Sequence, residues 1–117
     1  MKYRKFGNLD WEASVLGFGA MRLPVIGKDP AHVDEQKAIE MIRYAIDHGV
    51  NYLDTAYLYH EKRGEIVVGR ALLNGYREKE KLATKLPSWL VETPDDIDCF
   101  LNEKLEKQKT DHIDFYI

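Results

Sequence analysis

The chain has 117 residues, 44% of them apolar and 32% charged, with a net charge of −3 and a pI near 5.8. That length fits one small domain with a limited core. The acidic balance leaves no basic excess to hold phosphates, and no apolar run approaches the roughly 20 residues a bilayer needs, so neither a nucleic-acid nor a membrane partner is expected. Cys99 is alone, which excludes an internal disulfide and a CxxC pair. With no apolar signal core in MKYRKFGNLDWE, a cytoplasmic protein is expected.

The opening predicts a hairpin: Tyr3 to Phe6, a turn at Gly7-Asn8, then Leu9 to Ala13, where Leu9, Trp11 and Ala13 alternate with Asp10 and Glu12. Val15-Leu16-Gly17-Phe18-Gly19 reads as a short buried strand ending in glycine. Residues 24 to 33, with Pro24, Gly27 and Pro30, read as a loop. A helix is predicted from Asp34 to His48, capped by Asp34 and stopped by Gly49, with Ala38, Met41, Ile42, Ala45 and Ile46 as its apolar stripe. Val50 to Leu53 is the next strand. The second helix runs from Gly64 to Leu73, with Val67, Val68, Ala71 and Leu72 inward. REKEK at 77 to 81 reads as a solvated loop, and Lys81 to Thr84 as a strand.

Thr93-Pro94-Asp95-Asp96 opens a third helix with a cap, a proline at the first position and acids against the dipole. Ile97, Phe100, Leu101 and Leu105 form its expected inner stripe, and it ends near Lys109. Ile113 to Ile117 begins one more strand. Tyr44, Phe100 and Tyr116 are expected in or near the core. Strands alternating with helices imply a parallel sheet with right-handed crossovers. Four strands and three helices after a hairpin are about half of a (β/α)8 barrel, so the expected fold is α/β: one partial barrel over residues 1–117.

The chemistry concentrates in NYLDTAYLYH. Working residues of parallel α/β folds sit at the C-terminal ends of strands. Asp54 is at such an end, and Lys85, in KLATKLP, is at the next; 31 residues, about one βαβ unit, separate them. On neighbouring strands roughly 4.8 Å apart they could form an ion pair. Tyr59, five residues past Asp54, could fold back over the same rim. A phenol, with a reference pKa near ~10, is a poor acid at neutral pH; an adjacent ammonium favours the phenolate, and an aspartate keeps that ammonium oriented. Such a trio suits protonation of the alkoxide formed when hydride reaches a carbonyl carbon. Each residue also has a plainer reading: Asp54 as a turn cap, Lys85 as a solvated rim residue, Tyr59 as packing. Tyr57 and His60 stand close enough to compete for the tyrosine's role. The histidines at 32, 48, 60 and 112 show no metal-ligand spacing, and GFG at 17 to 19 lacks the third glycine of a dinucleotide fingerprint because Arg22 is there. Cys99 lies on the third helix, where packing or an inert surface place is expected rather than nucleophilic work.

LGFGAMRLP, GVNYLDTAYLYH, EKRGEIVVGRAL, KLATKLP and LNEKLEKQKTDHIDFYI together resemble the aldo-keto reductases over nearly the whole chain. LGFGAMRLP is also similar to the members that carry a C-terminal iron–sulfur domain. The resemblance implies an NAD(P)H-dependent oxidoreductase, with NADP(H) as cofactor and a small aldehyde or ketone as substrate. It makes Tyr59 the general acid, Lys85 its acid-strengthening partner and Asp54 the lysine's orienting carboxylate. It sets Gly19, Ala20 and Met21, with Asp54, near the nicotinamide, and Ser88 and Trp89 in the substrate pocket; no metal is implied. The hairpin matches the plug at the bottom of the family's barrel. The family's catalytic histidine, in a pattern like DFYLLH, would follow the DFYI at which this sequence ends, and His112 lies at the strand's other end. Gln108 stands where the family often has an apolar residue, which is compatible with an exposed position. These departures imply that the 117 residues alone are inactive. A half-barrel acting through self-association or association with another chain is the alternative.

Overall fold

The computed structural model describes residues 1–117. Strands β1 (Tyr3–Lys5) and β2 (Glu12–Ser14) pair antiparallel, with Tyr3 opposite Ser14. Four further strands, β3 (Phe18–Gly19), β4 (Tyr52–Asp54), β5 (Lys81–Thr84) and β6 (Phe115–Tyr116), form one parallel sheet in the order β3-β4-β5-β6. Helices α1 (Glu35–Asp47), α2 (Gly64–Ala71) and α3 (Pro94–Gln108) are the three crossovers. The predicted alternation is therefore present, and the fold is α/β with the topology of a partial (β/α)8 barrel. No helix is long and apolar enough to cross a membrane.

Local chemistry explains the helix ends. Asp34 accepts from Lys37 N–H at 3.2 Å and caps α1, and Gly49 follows that helix at φ +96°. Thr93 and Asp96 form a reciprocal capping box at the start of α3, with Pro94 in its first turn. Along the strands, alternation sends Leu53 and Leu82 to the helix side, where they pack with Ile42, Ile46, Val67, Val68 and Ala71 in the apolar core. Tyr52 and Phe115 lie on the opposite, inner face and pack with Phe6 and Trp11 of the hairpin at ring-centroid separations of 5.2 to 6.5 Å, Tyr52 stacked on both and Phe115 tilted against them. Asn51, just before β4, bonds Ser14 and Glu12, so the hairpin sits at the N-terminal end of the sheet.

Several expectations need correction. The second hairpin strand starts at Glu12 rather than Leu9, because Trp11 turns its ring onto Phe6 at 5.6 Å and Leu9 stays exposed in the connection. The run from Val15 is not a buried strand: only Phe18 and Gly19 pair, and Val15 and Leu16 are exposed beside an edge that has one neighbour. Tyr44 is 66% exposed, outside the core. The REKEK segment is not a solvated loop. Arg77–Lys79 form a 3₁₀ turn, Glu80 is buried, and Arg77 bonds Asp114 at 2.7 Å.

The inner face of α3 differs most. Its fully buried residues are Lys104 and Gln108, while Ile97 is exposed and Phe100, Leu101 and Leu105 are half-buried. Lys104 Nζ lies 3.1 Å from Glu65 Oε1, Gln108 donates to Glu65 Oε2 at 2.8 Å, and Thr84 donates to the same oxygen at 3.2 Å. Gln108 is thus internal, held by a carboxylate from α2. Burial holds the Lys104 ammonium below its usual range, with Glu65 opposing that shift.

Candidate active site

The parallel register sets Asp54 beside Gly19 on one side and Ala83 on the other; Asp54 and Gly19 end their strands, and Ala83 is the last residue but one of β5. Thr55 N–H donates to Ala83 O at 2.9 Å and carries the β4–β5 pairing one residue further. Lys85 leaves β5 one residue past Thr84, and its side chain turns toward β4. Its ammonium donates to Asp54 Oδ1 at 2.6 Å, to Asp54 Oδ2 at 2.8 Å and to Thr55 O at 3.0 Å. An ammonium has three N–H donors, and all three are used. The pair is neither buried nor free, with side chains 37% and 30% exposed.

Tyr59 comes back over this rim. The Lys85 ammonium lies 5.4 Å from the centre of the Tyr59 ring, and the tyrosine is half-buried. Its backbone is held by Gly64 N–H, which donates to Tyr59 O at 3.0 Å. The approach is close: a Cβ on Gly64 would meet Tyr59 O at 3.0 Å and Tyr59 Cβ at 3.1 Å. Asp54, Tyr59 and Lys85 are therefore brought together as their spacing suggested.

The two competitors point elsewhere. Tyr57 is buried against α3, edge-on to Phe100 at 5.4 Å, with Lys62, Lys104 and Lys107 over its ring. His60 is buried, and both its ring nitrogens engage main-chain groups of Leu23 and Pro30. On the other flank, Gly19 ends β3, and Ala20–Arg22 form a 3₁₀ turn with Ala20 buried and Met21 exposed. Ser88 and Trp89 open a 3₁₀ turn after β5; both are exposed, Trp89 by 65%.

Sequence reasoning missed two participants. The Thr55 carbonyl is the third acceptor of Lys85, and a backbone atom leaves no compositional signal. Tyr52 shares the inner face two residues below Asp54; burial pushes its phenol up, the Asp54 carboxylate adds to that, and Lys85 opposes it. The period-two alternation of Tyr52 with Asp54 was the available clue. A cavity of about 550 Å³ lies at the other end of the sheet, lined by Arg77, Glu80, Lys81, Lys109 and His112 among others, away from the trio. Among the titratable groups there are no clusters of three or more with metal-holding geometry.

The model of the Aldo/keto reductase family matches residues 15–117. The chain belongs to the aldo-keto reductase family. It is 34% identical to a protein described as probable aldo-keto reductase 1 from Glycine max over 96% of this chain and 34% of that one. Among solved structures, the holo form of aldo-keto reductase AKR11C1 from Bacillus halodurans superposes with a TM-score of 0.80 at 35% identity, covering 99% of this chain and 39% of that one. An aldo-keto reductase from Klebsiella pneumoniae, solved in complex with NADP and acetate, superposes with a TM-score of 0.75 at 26% identity, covering 90% of this chain and 35% of that one. The chain thus spans between a third and two fifths of the length of these aldo-keto reductases.

Proposed function

We propose that the complete protein carrying this segment is a cytoplasmic NADP(H)-dependent reductase of aldehydes or ketones, with Tyr59 as proton donor. The observation that carries this reading is the ammonium of Lys85, fixed by Asp54 and Thr55 and set 5.4 Å from the Tyr59 ring on the C-terminal rim. A neighbouring fixed positive charge stabilises the phenolate left behind when the tyrosine proton moves. Asp54, gripping that ammonium through both oxygens, keeps it aimed.

The rim fits the nicotinamide end of the cofactor. Gly19 lies beside Asp54 in register, a Cβ on it would meet nothing within 4 Å, and Met21 is exposed next to it. Gly19 and Met21 would border the nicotinamide with Asp54, the buried Ala20 anchoring the turn between them, and Ser88 and Trp89 would border the carbonyl substrate. Bound NADPH supplies the hydride that adds to the carbonyl carbon. The proton for the carbonyl oxygen leaves the Tyr59 hydroxyl, so one C–H and one O–H bond form as the C=O π bond is lost. Solved relatives bound to NADP support the choice of cofactor.

The test is to assay the purified full-length protein with NADPH deuterated at the transferred position against a panel of aldehydes and ketones. Deuterium on the carbinol carbon of the product is expected. A second reading, a non-catalytic half-barrel acting by association, draws on β3 having one strand neighbour, with Leu16 62% exposed beside it. That reading predicts no carbonyl-dependent NADPH consumption by the full-length protein.

A further inference from the structure

His60 follows the proposed proton donor directly, yet the reaction chemistry makes no use of it. Its ring is 8% exposed, between two segments of the rim. Leu23 N–H donates to Nε2 at 2.9 Å, and Nδ1 lies 2.8 Å from Pro30 O. A main-chain N–H can only donate and a main-chain carbonyl only accept. The ring is therefore the neutral tautomer with its proton on Nδ1. An imidazolium would set a proton on Nε2 against the Leu23 N–H.

Both partners belong to the segment that leaves the nicotinamide-side rim. Leu23 follows the Ala20–Arg22 turn and is itself buried in the core. Pro30 lies on the returning arm, which is tied to the outgoing one by the Val25–Val33 bridge and by Ile26 N–H donating to His32 O at 2.8 Å. One imidazole thus spans both arms of this loop and joins them to the loop that bears Tyr59.

The main chain at this point is unusual. His60, Glu61 and Lys62 have φ of +52°, +51° and +71°, three successive side-chain-bearing residues in the left-handed region. The turn is closed by Arg63 N–H donating to His60 O and by Gly64 N–H donating to Tyr59 O, each at 3.0 Å. A strained turn persists only where its surroundings over-determine it. Glu61 and Lys62 are exposed, so the imidazole is the buried side chain of the turn that does so.

We infer that His60 is a positioning residue: its neutral ring pins the left-handed turn behind Tyr59 to the rim loop through Leu23 and Pro30, fixing the proton donor relative to the Ala20–Arg22 segment. The inference rests on the reading of Tyr59 as proton donor.

The test uses the full-length protein at saturating NADPH and carbonyl, with wild type and Tyr59→Phe run alongside. His60→Ala is expected to lower kcat by roughly tenfold or more, as small misplacements of a reacting group do, and to raise the solvent deuterium isotope effect on kcat. His60→Gln, whose amide oxygen can accept from Leu23 N–H, should recover most of that loss. A kcat for His60→Ala within about twofold of wild type overturns the inference. So does an equal loss in the Ala and Gln variants with an unchanged isotope effect, which is what a merely structural role would give. If His60→Ala does not fold, Gln is compared with Asn, which keeps only a group in the place of Nδ1. More turnover in Gln supports the inference and equal turnover overturns it. Absent carbonyl-dependent activity in wild type brings down the enzyme reading and the inference with it, and full activity in Tyr59→Phe brings down the reading of Tyr59 as proton donor and, with it, the inference. Normal behaviour of those two proteins with a fully active His60→Ala brings down the inference alone.

Discussion

Lys85 commits its three N–H donors to two carboxylate oxygens and one carbonyl, so its charge is fixed in place beside Tyr59 before any ligand arrives. Lys85→Met in the full-length protein should lower kcat by roughly 10²–10⁴-fold, the range of a general-acid contribution. Because the pair is about one-third exposed, stability should change by no more than about 1 kcal/mol. Parallel measurements of turnover and thermal unfolding check both halves of that statement. At the sheet's other end Glu80 presents the opposite case. Its side chain is fully buried, its contact to Arg77 is long at 3.4 Å, and that guanidinium is committed to Asp114 at 2.7 Å. Burial therefore dominates and pushes the Glu80 carboxyl up from 4.5 to about 8, with Asp114 adding to the shift and Arg77 and Lys81 opposing it. The folded state holds this proton more tightly than the unfolded chain, so the stabilisation is complete below pH 4.5 and is lost as the pH rises through about 8. Melting temperature should fall across that window, and Glu80→Gln should flatten the fall; an unchanged slope in the variant would contradict the assignment. Asp54 and Lys85 were legible because a strand end and a one-unit spacing mark them. Glu80 was not, because a charged run carries no sign of which member the fold will enclose.

The elements were legible where periodicity and caps agree. Apart from Met41, which is exposed, the α1 and α2 stripes were placed correctly because Ala38, Ile42, Ile46, Val67, Val68 and Ala71 pack with Leu53 and Leu82 of the sheet. The stripe of α3 was misread because this helix meets α2 through polar groups. Lys104 and Gln108 enclose Glu65, which lies on the inner side of α2 beside Val68 and Leu72. A carboxylate interrupting an apolar stripe was the signal available. Removing one buried partner strands the other, so Lys104→Met should cost about 3–5 kcal/mol in denaturant unfolding. The double variant Glu65→Leu with Lys104→Met should lose clearly less; additive losses would show that the two groups do not act as a pair. The same contact explains Gly69. A Cβ there would lie 2.6 Å from both Gln108 Cα and Lys107 O, backbone atoms that cannot yield without separating the helices. Gly69→Ala should therefore destabilise by about 1–3 kcal/mol, as overpacking does, and a neutral result would mean that α3 can shift freely.

At the scale of the molecule, the strand order and the crossovers were legible because alternating β and α segments admit few arrangements. The edges were not: whether Val15 and Leu16 are enclosed depends on what lies beyond β3, which the local pattern cannot express. The inner face carries Tyr52, Asp54, Lys85 and Phe115 without helices over it, and the trio lies partly open. Residues 1–117 expressed by themselves are accordingly expected to show no NADPH-dependent turnover and to bind NADPH weakly or not at all; tight binding in a fluorescence titration would contradict this. The central claim is that the rim formed by β4, β5 and the Tyr59 loop carries carbonyl reduction. Its most direct test is kcat of Tyr59→Phe in the full-length protein, measured with its melting temperature. A loss of nearly all turnover with an essentially unchanged melting temperature is the predicted result. Undiminished turnover in that variant would contradict the account by removing Tyr59 from the chemistry.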